Sequence, residues 1–231
     1  MTITALRHEI LSEGIAPAGE FALLDHRFRA LLGAEGWARL PAAVRARFAK
    51  RLGGEAVTFA GTITACRMSR AGWLLAQACR LIGAPLPLGR DLGAPAAVAV
   101  TADAATGGQH WTRVYGRARG FPQVIRSTKR FAGATGLEEY LGFGFGIALT
   151  VRADEQALHF EGDHYFLALG GIRLRLPRWL APGALTISHV DQGGGQFDFV
   201  LMLRHSLFGE LIEQRCRFCD QTTLANEGRG V

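Results

Sequence analysis

Trp111-Thr112-Arg113-Val114-Tyr115 sets a guanidinium between two aromatic rings on one face of a strand. Rings on either side favour the cation by cation–π contact, and the planar fork of Arg113 matches a carboxylate or phosphate. The segment that follows offers Arg126 or Ser127, Lys129 and Arg130 beside it. A second group comprises His164, His189 and His205, on three separate late strands, with Asp191 two residues from His189 and therefore on its face. A His–Asp pair beside a cavity can move protons. No serine elbow, phosphate-cradling glycine loop or two-histidine metal motif accompanies the pair, so it also reads as an exposed cross-strand contact. Cys216 and Cys219 have the spacing of a zinc or redox half-site. On a strand, positions three apart face opposite ways, and no second pair supplies further ligands, so neither a metal nor a cofactor is expected.

A site needs room, and Gly142 to Val151 suggests where it lies. One face of that run is Phe143, Phe145, Ile147, Leu149 and Val151; the other is Gly142, Gly144, Gly146, Ala148 and Thr150. A strand that alternates large apolar residues with glycine packs on one side and leaves space on the other. Gly144, Gly146 and the nearby Tyr165 therefore join Trp111, Arg113 and Tyr115 as candidate ligand-binding residues.

The elements that position these residues are legible from periodicity. Phe21, Leu24, Phe28, Leu31 and Leu32 follow helical spacing over 20–32, and a second helix starts near Pro41 and stops at Gly53-Gly54. Residues 55–67 alternate as a first strand. Ser69 caps a helix running to Ile82 that is apolar nearly all round, which predicts a buried helix lying across a sheet. Seven further strands follow without helix-length crossovers, at 96–104, 109–119, 122–132, 138–153, 156–175, 184–192 and 196–218, the last bent at Gly209, with a loop or short helical turn at 176–183. The expected fold is α+β: N-terminal helices followed by a strongly curved antiparallel sheet, a half-barrel or helix-grip arrangement around the 69–82 helix. It is read as a single domain over 1–231, helical to 54, sheet from 55 to 220, and a flexible tail from 221.

The 231 residues suffice for a sizeable core, and the net charge of +6 comes from 24 arginines and two lysines scattered along the chain. No stacking module or recognition helix accompanies the charge, so a nucleic-acid partner is not expected. The first fifteen residues lack the apolar core of a signal peptide and no stretch is long enough to span a bilayer, so the expected location is the cytoplasm.

The blocks Leu40-Pro41, Phe59-Ala60-Gly61, Trp111 to Tyr115, Glu139-Tyr140-Leu141-Gly142, Leu176 to Pro182 and His205 to Glu210 occur in an order that resembles a family of bacterial domains of unknown function. Members often stand downstream of a saccharopine-dehydrogenase-like NAD(P)-binding domain, and the resemblance implies such a protein as a partner. The chain itself has no Gly-x-Gly-x-x-Gly unit for dinucleotide binding. The leading expectation is a domain that binds an apolar or amphipathic small molecule, lipid or acyl-like, in a cavity of the curved sheet. An enzyme using the same cavity, with His189, Asp191 or His205 carrying protons and Arg113 anchoring an anion, is the alternative, and an interaction module for a dehydrogenase-like protein is the third.

Overall fold

The computed structural model describes residues 25–49 and 56–220. Two helices, α1 (Arg27–Arg39) and α2 (Ala42–Ala49), precede the sheet. Strand β1 (Val57–Met68) leads into α3 (Arg70–Ala78), which tightens into a 3-10 turn at Cys79–Ile82. Ten strands follow: β2 (Pro95–Asp103), β3 (Gly108–Tyr115), β4 (Gln123–Arg130), β5 (Leu137–Gly142), β6 (Phe145–Ala153), β7 (Ala157–Leu169), β8 (Ile172–Arg175), β9 (Ala184–Gly193), β10 (Gln196–His205) and β11 (Gly209–Cys219). The sheet runs β6-β5-β4-β3-β2-β1-β11-β10-β9-β7-β8, and β6 also pairs with β7. Ten strands therefore close into an antiparallel barrel, and the short β8 pairs with β7 alone, at Phe166–Leu169. Closure rather than a half-barrel is the physical solution to edges, because each open edge would leave a row of unpaired N–H and C=O groups.

Three runs that look like single strands are hairpins. The 138–153 run folds back at Phe143 and Gly144 (φ 50° and 81°), and the 156–175 run at Gly170 and Gly171 (φ 55° and 86°). The 196–218 run turns fully over at 206–208, where a bend was expected. Left-handed pairs of this kind match the twist of two antiparallel strands, which is why glycine fills three of these four positions, with Phe143 the exception.

The helix after β1 does not lie inside the sheet. Ser69 caps it as expected, its Oγ accepting from the Gly72 N–H at 3.1 Å, and Gly83 ends it with φ 98°. Only Gly72 and Ala76 of α3 are buried, while Trp73, Leu74 and Leu81 stand exposed. A closed barrel leaves no concave face for a helix to cross, so α3 rests on one end with Gly72 against the Leu211 backbone, and a mostly apolar helix there presents its other faces to solvent. At the opposite end α1 packs on β6 and α2 on β9, inserting Phe28, Val44 and Phe48 into the core. The beginning of the first expected helix, the end of the second and the tail lie outside the described residues.

Candidate functional site

Inside the barrel, odd-numbered residues of β3, β4 and β5 point inward, and this brings four polar side chains together. Arg113 on β3, Ser127 and Lys129 on β4, and Glu139 on β5 are all buried. Lys129 Nζ donates to Glu139 Oε2 at 2.8 Å, Ser127 Oγ donates to Oε1 at 2.6 Å, and Arg113 Nη2 donates to Ser127 Oγ at 2.9 Å and to Glu139 Oε1 at 3.4 Å. Burial alone would raise the Glu139 carboxyl; the charges of Lys129 and Arg113 and the hydrogen bonds from Lys129 and Ser127 outweigh it and hold it down to about 2. Burial also pushes the Lys129 ammonium below its ordinary value, opposed by Glu139. Two cations share one carboxylate, leaving one positive charge over, and the buried Arg113 Nε–H has no acceptor.

On the α3 side of this cluster lies a cavity of about 220 Å3. Arg113 and Glu139 form its inner end. Its walls come from Leu75, Cys79 and Ile82 of the helix, Phe145 and Ile147 of β6, Tyr165 of β7, and Leu176 and Leu180 of the loop before β9. The space exceeds the ~150 Å3 that admits benzene and falls below the ~300 Å3 of drug-sized pockets, which suits a single ring or a short to medium chain.

The candidates from sequence fall into distinct places. Arg113 and Tyr165 line the cavity; Gly146 contributes backbone to its wall. Trp111 and Tyr115 flank Arg113 on β3, but the guanidinium is held by Ser127 and Glu139, and the aromatic ring recorded within reach of it is Phe199 at 6.0 Å. Trp111 instead carries Lys129 over its ring at 4.9 Å. The glycine face of β6 turns away from the cavity: a side chain on Gly146 would meet the Phe166 ring outside the barrel, and Gly144 sits in the β5–β6 turn against the Ala168 carbonyl. Space beside glycine is thus filled by a neighbouring ring, and the large face borders the cavity. Gly146→Leu is accordingly expected to overpack Phe166 and lower stability by about 1–3 kcal/mol, measured as the urea midpoint.

None of the acid–base candidates lines the cavity. His189 lies beyond the charged cluster among Phe48, Trp111, Phe160, Phe197 and Phe199, with both ring nitrogens unpartnered. Burial, with the charges of Arg47 and Lys129, depresses it to about 3. No hydrogen bond joins it to Asp191, which faces Arg47 at 3.5 Å. His205 and His164 border a separate outer groove of about 450 Å3 with Arg175, Arg178 and Arg204. A barrel interior lets residues from strands far apart in sequence converge, so same-strand spacing was a poor guide. Cys216 is buried in the barrel, its thiol pushed up to about 12 chiefly by burial, and Cys219 is a free, half-buried thiol.

Residues 40–218 match the family profile described as a domain of unknown function, DUF4166. The chain belongs to that family. The DUF4166 match begins at the buried Leu40, just before α2, and ends at the buried Phe218, so it spans α2 and the barrel with its charged cluster and cavity. No curated protein and no solved structure matches the chain. Glu138, Glu139 and Glu210 are the acids that the sequence offers to neutralise an inward arginine, and Glu139 is the one that meets Arg113, whereas the helix and loop residues of the cavity wall were not foreseen. The signal available was the inward parity shared by Arg113, Ser127, Lys129 and Glu139 once the strands are aligned.

Proposed function

We propose that this DUF4166 domain binds a small amphipathic molecule with an anionic head, its apolar part in the cavity and its head beside Arg113. The observation that carries the reading is the junction of apolar walls with a buried cluster holding one positive charge in excess and a donor without an acceptor. A carboxylate satisfies both, and ion-paired groups already locked to one another favour holding a ligand over transforming it. A dehydrogenase-like protein as supplier or acceptor of that molecule remains part of the proposal, on the family resemblance alone.

Calorimetric titration with straight-chain carboxylates and with alcohols of equal length tests it. The carboxylate should bind more tightly, and Arg113→Met should weaken it by about 1–3 kcal/mol while changing the alcohol little. Equal affinity of the parent for both head groups would refute the role of Arg113.

A further inference from the structure

The described residues divide unevenly between the two ends of the barrel. Every large apolar side chain that stands exposed lies in a loop, a strand terminus, the short strand β8, or α3 and its 3-10 turn at the cavity end, and Trp73, Leu81, Phe143, Trp179, Leu207 and Phe208 are representative. Leu81, Phe143, Trp179 and Leu207 are each at least three-quarters exposed. None is found on α1, α2 or the turns at the other end. Such residues cost little singly but as a ring mark a surface that is covered in use.

Charge follows the same division. The segments between strands at the cavity end hold three arginines between β1 and β2, two between β3 and β4, and three in the stretch from β7 to β9, against one acid, Asp91. Arg70, Arg80, Arg90, Arg117, Arg119 and Arg178 form no ion pair with a described carboxylate. Beside the mouth, the outer groove adds Arg175, Arg178 and Arg204 around a space that shares Tyr165 and Leu176 with the cavity wall. Aromatic and leucine side chains interleaved with unpaired guanidinium groups match the boundary layer of a bilayer, where apolar side chains enter the acyl region and cations meet phosphate.

We infer that the cavity end of the barrel docks onto an anionic lipid bilayer, Trp73 and Trp179 entering the interface and the unpaired arginines contacting lipid phosphates. The docking surface rings the cavity mouth, so a bound molecule would enter or leave facing the bilayer. Docking by this end rests on exposed residues and is independent of what the cavity holds.

Flotation of the full chain with vesicles tests it. The protein should float with phosphatidylglycerol-containing vesicles and stay behind with pure phosphatidylcholine, and tryptophan emission should shift to the blue on binding. Arg80→Glu/Arg178→Glu should reduce partitioning by about tenfold or more, since each basic residue near an anionic surface contributes on the order of 1 kcal/mol. Trp73→Ser/Trp179→Ser should abolish the blue shift, whereas Arg29→Glu/Arg39→Glu at the opposite end should float like the parent. All are exposed positions, and unchanged melting temperatures verify the fold. Equal binding of neutral vesicles, equal loss in the opposite-end variant, or a chain that stays with the soluble phase, whether alone, self-associated or with inorganic phosphate bound, would overturn the inference.

Discussion

Glu139→Gln is expected to cost about 3–5 kcal/mol of stability, the range for breaking a buried ion pair by removing one partner. The glutamine amide still accepts from Ser127 or Lys129, but Arg113 and Lys129 are then two buried cations with no counter-charge. Lys129→Met should cost much less, because it leaves Arg113 paired one-to-one with Glu139. Urea unfolding of the three proteins at neutral pH reads the difference. Equal losses for the two variants would mean that the cluster carries no excess charge. A further consequence ties stability to binding: a carboxylate ligand should raise the midpoint of Glu139→Gln more than that of the parent, since the ligand replaces the missing anion.

Stability should also fall as pH drops from 7.5 to 5, and His189 should be responsible for about 2 kcal/mol of that loss. The folded value of about 3 lies below the 6.5 of an unfolded imidazole, so between these limits the unfolded chain binds a proton that the folded chain refuses. Each pH unit in that window therefore costs about 1.4 kcal/mol. Glu139 acts lower down: its contribution is complete above the unfolded 4.5 and is lost as pH falls through about 2, leaving pH 5 to His189. His189→Phe keeps an aromatic ring stacked on Phe197 at the recorded 5.6 Å spacing while removing the titrating nitrogens. Its unfolding midpoint should change far less between pH 7.5 and pH 5 than that of the parent. Parallel pH profiles would show that the ring nitrogens find partners in solution.

Much of the architecture can be read from residue order, and its limits have physical causes. Ser69 and Gly83 announce the ends of the helix after β1, because capping chemistry is local. The position of that helix is not local: nothing in its apolar circumference says whether the surrounding space is a sheet face or solvent. Closure of the barrel depends on the pairing of β6 with β7, and recognising those strands required reading Phe143-Gly144 and Gly170-Gly171 as reversals. The inward orientation of Arg113 was visible in the two-residue period of β3, whereas the sequence left open which of Arg126, Ser127, Lys129 and Arg130 share its side. The union of Arg113 and Lys129 with Glu139 depends on registers such as Lys129 opposite Glu139, which only the assembled sheet supplies. The glycine face of β6 misled because a missing side chain reports only that something is near, here the Phe166 ring, without saying whether that thing is a ligand or a neighbour.

The most direct measurement is native mass spectrometry of the intact chain against a ladder of straight-chain carboxylates. A cavity of about 220 Å3 ending at Arg113 requires one-to-one adducts that strengthen with chain length and then stop when the space is full. Arg113→Met should lose those adducts while keeping its folded charge-state distribution. Adducts of rising stoichiometry with no length cut-off, or none at all in the parent, would contradict a binding cavity in this barrel.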